Sequence, residues 1–317
     1  MVRGRTWKNI DKLKANEIKN FLVKMGAQEI ETKQNFEIWR LRIKNCYITY
    51  YSSGTMYATP SEDPEVENII EQIGEIVGHI YAPPTKEWCV GLDETGKGEI
   101  FGYLHVVGVV FHKNMFHRIE KIVGNSDTKK KHGFEYWQQL FKELKTLMGK
   151  NFFYLEERVS PEDIDEFNLN ELLNITYIRV LRRLIEESQI SPTNMRIIID
   201  DYGVSEELLH LLNDLKNQGA EIVVSTKSED RYLETRLAAI IAKWSQIKVL
   251  EKLKREFKIG DVEIGSGNAN EENTIKWLQE WHKTGKPWPW FVRKSFKTVY
   301  KIDEKLSKKK KSHIFQK

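Results

Sequence analysis

The sequence predicts an α/β protein whose main domain is a mixed sheet flanked by helices, preceded by a small α+β domain. From residue 88 to residue 256, apolar runs typical of strands alternate with longer segments of helical spacing, the pattern of a helix-flanked sheet. An earlier segment has its own helix and strand patterns, and the proline-containing stretch "YAPPTKE" separates the two. We therefore expect an N-terminal domain over 1–82, a main domain over 83–302 and a basic tail over 303–317.

The first domain is expected to combine two helices with a short antiparallel sheet. "NEIKNFLVKMGAQ" has apolar residues at helical spacing and ends at Gly26. "EIWRLRIKNCYITYY" alternates apolar and polar residues before the turn at Ser53 and Gly54, as half-buried strands do. "DPEVENIIEQIGEIVGHI" begins with Asp63-Pro64, a common helix entrance, and keeps one apolar face.

The main domain is expected to alternate strands and helices along the chain. The strand candidates are "WCVGLDETG", "YLHVVGVVF", "NFFYLEERV", "MRIIID" and "AEIVVSTK". The helix candidates are "FEYWQQLFKELKTLM", "LNELLNITYIRVLRRLIEES", "EELLHLLNDLKNQG" and "YLETRLAAIIAKWSQIKVLEKLKREF". This order predicts a mixed sheet with helices on its faces.

The composition is that of a globular protein without a membrane segment. Of 317 residues, 40% are hydrophobic and 30% are charged, and there is no apolar run long enough to span a bilayer and no signal-peptide core at the N-terminus. Cys46 and Cys89 have no metal-ligand spacing and suggest no disulfide, which fits a reducing cytoplasm. The net charge of +4 reflects basic blocks at both ends, typical of a solvated surface or of a polyanionic partner such as nucleic acid.

Acidic residues gather where predicted strands end. The three clusters are Asp93 with Glu94, Asp200 with Asp201, and Glu229 with Asp230. Ligands of α/β proteins bind at strand ends, and carboxylates collected there repel each other unless they are protonated or hold a cation. Mg²⁺ prefers such oxygen ligands, and two ions about 4 Å apart can activate a water and stabilise a leaving oxygen. The alternative is that each acid is a turn residue or a helix cap.

The stretch "VGLDETGKGE" nearly spells a phosphate-binding P-loop. A P-loop needs Ser or Thr after its Lys, however, and Gly98 stands there. Asp93 and Glu94 would also repel a nucleotide's phosphates, so a kinase or ATPase is disfavoured. Gly96, Lys97 and Gly98 can instead present backbone N–H groups to a single phosphate or sugar hydroxyl, unless the glycines serve only a tight turn.

Four motifs together resemble those of the type 2 ribonucleases H, a family with HII and HIII branches. "GLDETGKGEIFG" resembles the family's first motif in its HIII form, with Tyr103 where Pro is usual, and "SDTKKKH" resembles D-S-K-K-L. "IIIDDYG" places the third acid at Asp200, and "KSEDRYLETRLAAIIAKW" places the fourth at Glu229. The D-E-D-E set is associated with the HIII branch.

The two ends of the chain resemble different branches. "IGSGNANEENTIKWLQEWHKTGKPWPWFVRKSFKTV" is similar to a C-terminal motif commoner in archaeal and eukaryotic HII enzymes. "NCYITYYSSGTMYATP" resembles the TATA-binding-protein-like substrate domain of HIII proteins. The resemblance thus implies a ribonuclease H-like sheet preceded by a TATA-binding-protein-like domain, closest to HIII by that domain and its acids.

The resemblance implies an endoribonuclease that hydrolyses the RNA strand of RNA–DNA hybrids and leaves 5′-phosphate and 3′-hydroxyl ends. It assigns catalysis and two Mg²⁺ ions, with Mn²⁺ as a substitute, to Asp93, Glu94, Asp200 and Glu229. The alternatives are a protein that binds hybrids without cutting them, and HII-like cleavage at single ribonucleotides in DNA. We expect a monomer in the cytoplasm.

Substrate contacts are expected on both sides of these acids. Gly96, Lys97 and Gly98 are suited to meet the 2′-hydroxyl and its phosphate. Of the further candidates, Lys129 and Lys130 would bind phosphates, Lys227 would touch the scissile region, and Arg293 would bind phosphates of the DNA strand. The alternatives are a surface lysine pair, an ion pair of Lys227 with Asp230, and a solvated strand start at Arg293.

Aromatic residues near the C-terminus allow two interpretations. Trp277, Trp281, Trp288 and Trp290 could stack on nucleic acid bases. The i, i+4 spacing of Trp277 and Trp281 favours a helix face that packs in the core.

Overall fold

The N-terminal unit is a five-stranded antiparallel sheet accompanied by two helices. The computed structural model describes residues 4–8, 10–77, 81–123 and 132–304, and it divides into two compact units, Met1–Tyr81 and Ala82–Lys317. The elements of the first unit are β1 (Arg5–Trp7), α1 (Lys12–Lys24), β2 (Gln28–Ile30), β3 (Glu37–Ile43), β4 (Cys46–Tyr51), β5 (Met56–Ala58) and α2 (Pro64–Val77). The strand order is β1-β5-β4-β3-β2.

Local sequence signals explain this unit. The side chain of Asp11 accepts a hydrogen bond from Lys14 N at 2.8 Å and caps the N-terminus of α1. Alternate residues of β3 are buried, so one face of the sheet forms a core with the apolar faces of both helices. The Tyr50 hydroxyl enters this core and donates to Ile10 O at 2.8 Å.

The second unit is a mixed sheet flanked by helices, as predicted. Its strands are β6 (Trp88–Thr95), β7 (Leu104–His112), β8 (Phe152–Val159), β9 (Met195–Asp200) and β10 (Glu221–Ser225), in the order β10-β9-β6-β7-β8. Its helices are α3 (Phe116–Val123), α4 (Phe134–Lys145), α5 (Pro161–Glu166), α6 (Leu169–Ser188), α7 (Glu206–Asn217), α8 (Leu233–Glu256) and α9 (Glu272–Lys283). Strands β10, β9 and β6 are parallel, and β7 runs antiparallel to both β6 and β8.

Helix α8 lies unusually close to the sheet because β6 carries a glycine beneath it. A Cβ built on Gly91 would lie 2.3 Å from the carbonyl carbon of Glu234, so a side chain at Gly91 would push the helix away. The buried Glu234 carboxylate accepts from Arg196 Nε at 2.8 Å, and the same guanidinium donates to the carbonyl oxygens of Ala82 and Pro83. The start of α8 is therefore fixed to β9 and to the first residues of this unit.

The C-terminal segment packs as a separate apolar cluster. Trp277 is fully buried, donates to Phe257 O at 2.7 Å, and stacks on Trp281 with ring centroids 5.2 Å apart. The packing interpretation of this pair is therefore confirmed. Trp290 differs, because 51% of it is exposed.

Within the described ranges, neither cysteine forms a disulfide and no helix could span a membrane. Cys46 and Cys89 are both free and buried. None of the helices within these ranges is long and apolar enough to cross a bilayer.

Candidate active site

The sheet register brings the first two acidic clusters together. Leu92 of β6 pairs with Ile199 of β9 in parallel register, so Asp93 and Asp200 follow at neighbouring positions on the same edge of the sheet. Glu94 is the next residue of β6. These side chains lie at the carboxyl ends of two parallel strands, where α/β sheets bind ligands.

The third cluster is joined to this edge by a hydrogen bond. Ser225, the last residue of β10, pairs with Asp200. A 3₁₀ turn, Ser228–Asp230, follows and carries Glu229. The backbone N–H of Ser228 donates to Asp200 Oδ1 at 2.7 Å, so Asp200 holds the turn that presents Glu229.

The carboxylates at this edge destabilise one another's charges. Burial raises the pKa of Asp93 well above its usual value, and the neighbouring charges of Glu94, Glu229 and Asp200 raise it further. Burial also raises the pKa of Glu94, although Tyr177 and Lys97 oppose the shift. The pKa of Asp200 is raised by burial and by Glu229. Asp93 therefore lies within electrostatic reach of the other three acids predicted from the sequence.

This donor set fits a divalent cation in its chemistry. Clustered carboxylate oxygens are the ligands that Mg²⁺ and Mn²⁺ take, and a bound cation would offset both the burial and the repulsion that raise these pKa values. In the side-chain conformations of the described residues, no group of three or more His, Cys, Asp or Glu is already positioned to hold a metal. The carboxylates would have to draw together around an ion.

Glu94 is oriented by a buried tyrosine that the sequence did not single out. The hydroxyl of Tyr177, on α6, donates to Glu94 Oε2 at 2.5 Å. The ring of Tyr177 lies against Tyr202 with centroids 4.6 Å apart, and Lys97 Nζ is 5.6 Å from the Tyr202 centroid. The spacing of Tyr177 on an amphipathic helix is that of an ordinary core residue, so only its polar hydroxyl hints at a role.

The loop after β6 has the conformation that its glycines permit. Gly96 has φ of +96°, and a Cβ there would lie 2.6 Å from the carbonyl oxygen of Tyr103. A Cβ on Gly98 would contact no atom within 4 Å, so this end of the loop is open to an approaching molecule.

Arg293 is not available to bind phosphates, contrary to the sequence expectation. Its side chain is fully buried. Its Nη1 donates to Gly96 O at 2.5 Å, and Nε and Nη2 each donate to Gly102 O at 3.1 Å. Because these two carbonyls lie at the ends of one loop and point inward, they draw the guanidinium away from solvent. Arg293 therefore fixes the shape of the loop 96–102.

The other predicted basic residues have different outcomes. Lys227 is exposed in a left-handed backbone conformation with φ of +53°. Its suggested partner Asp230 instead pairs with Arg236, at 3.4 Å. Lys129 and Lys130 lie outside the described residues.

The two acids beside the predicted set have local contacts. Asp201 is exposed, and its Oδ1 accepts from Gly203 N at 3.3 Å, the bond of a turn. Asp230 is also exposed.

Comparison with known proteins identifies the family to which the chain belongs. The family model described as Ribonuclease HII matches residues 90–299. Ribonuclease HII of Thermococcus sibiricus is 32% identical over 223 residues, which cover 69% of this chain and 93% of that protein. The crystal structure of ribonuclease H2 from Pyrococcus horikoshii OT3 is 26% identical in sequence, with a TM-score of 0.57. The match covers 70% of this chain and 99% of the Pyrococcus horikoshii chain.

A more distant structure extends the likeness of the fold. Bst ribonuclease HIII, solved in complex with Mn²⁺, is 14% identical in sequence, with a TM-score of 0.54. The match covers 94% of this chain and 97% of the Bst ribonuclease HIII chain. At that identity it supports the fold alone. The predicted membership of the type 2 ribonucleases H is confirmed by these matches, and the chain belongs to the ribonuclease HII family.

Proposed function

We propose that this protein is an endoribonuclease that hydrolyses the RNA strand of RNA–DNA hybrids with two divalent cations. The observation that carries the proposal is the shared edge of β6 and β9, where the partly buried Asp93 and Asp200 follow paired residues in parallel register. Mutually repelling carboxylates at such an edge are stable as anions only when a cation neutralises them.

The proposed metal ligands are Asp93, Glu94, Asp200 and Glu229. When bound, the ions supply an activated water and neutralise charge on the leaving oxygen. Mg²⁺ is the proposed physiological ion and Mn²⁺ its substitute. Tyr177 leaves Glu94 with one oxygen bound and the other free to turn toward an ion.

The open loop beside these acids is the proposed reader of the substrate's sugar. A hybrid displays 2′-hydroxyls in a wide and shallow minor groove, where sequence readout is not needed. The backbone N–H groups of Gly96, Lys97 and Gly98 would meet one such hydroxyl and its phosphate. Lys227, exposed beside Glu229, is proposed to contact the scissile region, and Lys129 and Lys130 are proposed to bind phosphates.

We also propose that the N-terminal domain predicted over residues 1–82 binds substrate. The guanidinium carbons of Arg40 and Arg42 lie 5.2 and 5.9 Å from the Tyr47 centroid, so β3 and β4 carry a cationic and aromatic strip. Such a strip suits a polyanion with flat rings. Changing Arg42 to Ala should raise KM for a hybrid and leave kcat near the wild-type value. The enzyme is proposed to act as a cytoplasmic monomer.

The test is incubation of the enzyme and Mg²⁺ with a hybrid whose RNA strand is 5′-labelled. We expect RNA fragments with 3′-hydroxyl ends that a polymerase can extend, and no cleavage of single-stranded RNA or duplex DNA. A duplex with one ribonucleotide, assayed in parallel, separates HII-like specificity from a need for longer RNA. Binding of the hybrid without metal-dependent cleavage would overturn the proposal in favour of a binding protein.

A further inference from the structure

Two aromatic side chains lie beside the loop that follows the acidic strand. The rings of Tyr103 and Trp290 are 5.3 Å apart between centroids, with an interplanar angle of 42°. Trp290 is 51% exposed and Tyr103 is partly exposed. Scattered exposed apolar residues are normal, but a paired aromatic surface next to a proposed binding loop needs a physical reason.

The backbone holds this pair in a fixed position relative to Gly96. Gly102 N donates to Phe291 O at 2.8 Å, and Arg293 N donates to Ile100 O at 2.9 Å. The Arg293 side chain then binds the carbonyls of Gly96 and Gly102. The residues just before Tyr103 and just after Trp290 are thus bonded to one another, and both are tied to the loop.

Positive charge continues from the aromatic pair. The guanidinium carbon of Arg158 lies 5.8 Å from the Tyr103 centroid, and 41% of the Arg158 side chain is exposed. Arg158 also lines an open groove along α8 with Phe134, Lys248, Lys252 and Arg255, together with Glu251 and Glu256. Arg158 Nε donates to Glu156 Oε1 at 2.7 Å, and the groove's four cations outnumber its two acids even when that carboxylate is added, so the groove favours an anionic chain.

From these contacts we infer that Tyr103 and Trp290 form a subsite for the sugar of a nucleotide flanking the cleavage position, with Arg158 directed at a neighbouring phosphate. The inference rests on the proposed function and adds to it a contact that the acids and the glycine loop do not make. In the proposed function the loop would face the minor groove, where sugars are accessible while paired bases expose only their edges. The exposed ring of Trp290, tilted at 42° to the ring of Tyr103, offers an apolar surface to the face of a sugar, and the guanidinium matches the phosphate.

The test measures equilibrium binding of a fluorescent hybrid in EDTA, where metal-dependent cleavage does not proceed. Changing Trp290 to Ala should raise Kd by about fivefold to tenfold, the scale of a lost aromatic contact with a nucleotide. Trp290→Phe, which keeps a ring, should recover most of the affinity. The matched control is Tyr300→Ala, because Tyr300 is an equally exposed aromatic of the same unit, 58% exposed, that makes no described contact with Tyr103 or Trp290. Its Kd should stay within about twofold of wild type.

The role of Arg158 has its own measurement. Arg158→Gln should reduce the slope of log Kd against log salt by about one, the effect of one lost phosphate contact.

Single-stranded RNA should bind Trp290→Ala as well as it binds wild type, because the subsite depends on the duplex groove.

Two results separate this subsite from the proposed function. If wild type cleaves hybrids but Trp290→Ala binds them with unchanged Kd, the subsite is wrong and the nuclease assignment stands. If Trp290→Ala raises the Kd for single-stranded RNA as much as the Kd for the hybrid, the contact is base stacking and not a sugar contact, and the inference fails. If wild type neither binds nor cleaves hybrids, both proposals fail.

Discussion

The fully buried hydroxyl of Tyr177 donates a 2.5 Å hydrogen bond to Oε2 of Glu94. The two residues are 83 positions apart in sequence, on α6 and at the end of β6. A phenol that donates to one carboxylate oxygen fixes the rotation of the carboxylate and opposes protonation of Glu94. Tyr177 therefore acts as a positioning residue for a proposed metal ligand.

Replacing Tyr177 with Phe removes this bond and keeps the ring. Because a hydrogen bond to a charged group contributes about 1.5–3 kcal/mol, we expect hybrid cleavage at subsaturating Mg²⁺ to fall by about tenfold or more. The Mg²⁺ concentration for half-maximal rate should rise. A metal titration of the cleavage rate measures both effects.

Tyr202→Phe is the matched control. The Tyr202 hydroxyl donates to Asn174 Oδ1 at 3.2 Å and its ring lies on Tyr177, so this variant loses a hydroxyl without touching Glu94. Its metal dependence should match wild type. Equal shifts in the two variants would show that Tyr177 has only a packing role.

Asp93→Asn should stabilise the metal-free protein while it abolishes cleavage. Near the usual carboxyl pKa of 3.8 the unfolded chain loses a proton, whereas buried Asp93 in the folded state retains it at higher pH. Because the folded state binds more protons than the unfolded state in this window, wild type loses stability as the pH rises through it. The Tm of Asp93→Asn in EDTA should therefore exceed that of wild type by a margin that grows from about pH 4 to about pH 7.

Added Mg²⁺ provides the control for that experiment. An ion that binds only the folded protein raises its Tm, so wild type should gain more than Asp93→Asn. Equal gains in the two proteins would place the ion elsewhere.

Arg293→Ala should lower stability and loosen the loop 96–102. Burial lowers the pKa of Arg293 to about 10, so the group remains charged at neutral pH. Its loss leaves the carbonyls of Gly96 and Gly102 without their donor, at a cost of about 3 kcal/mol. Urea unfolding should detect this change, and KM for a hybrid should rise.

Lys294→Ala tests whether the effect of Arg293 comes from burial. Lys294 is the exposed neighbour of Arg293, so its removal should change stability by less than about 0.5 kcal/mol. If Arg293→Ala weakens hybrid binding with no loss of stability, the original expectation of a phosphate contact is right and the structural account is wrong.

Glu156→Gln should destabilise the protein near neutral pH and much less in acid. Burial alone would raise the pKa of Glu156, but hydrogen bonds from His105, Arg158 and Ser245 outweigh it and lower the pKa from 4.5 to about 2. A depressed pKa contributes stability above pH 4.5 that is lost as pH falls toward 2. The variant should be less stable than wild type by roughly 3 kcal/mol near pH 6, and the difference should shrink near pH 3.

Glu157→Gln, the next residue on β8, is the comparison. Glu157 pairs with two largely exposed arginines, so its effect should stay below about 1 kcal/mol. The free energy of unfolding of both variants, measured in urea at each pH, tests this difference. A difference for Glu156→Gln that does not vary with pH would contradict the assigned hydrogen bonds.

The position of the acids at one edge of the sheet could be predicted from the sequence because it depends on local patterns. Asp93 and Asp200 each end a run of apolar strand residues, and parallel pairing of β6 with β9 then brings them to one edge. The mixed sheet follows from the same alternation of strand and helix patterns. Helix α5 was missed, although Ser160, Pro161 and Asp163 give a capping-box signal that could have identified it.

The remaining features depend on distant parts of the chain. Arg293 is predicted from the sequence to bind phosphates, since nothing near it in sequence shows that the carbonyls of Gly96 and Gly102 will surround it. Tyr177 has helical core spacing, and its partner Glu94 lies on another element. Residue spacing cannot report a pairing that exists only after the sheet and α6 pack together.

The most direct test of the central claim is the single-turnover rate of RNA-strand cleavage in a hybrid with Mg²⁺. Wild type should be compared with Asp93→Asn, Glu94→Gln, Asp200→Asn and Glu229→Gln. The account predicts that each substitution lowers the rate by about a hundredfold or more, while EDTA abolishes wild-type cleavage. Cleavage by Asp93→Asn or Asp200→Asn at the wild-type rate would contradict it.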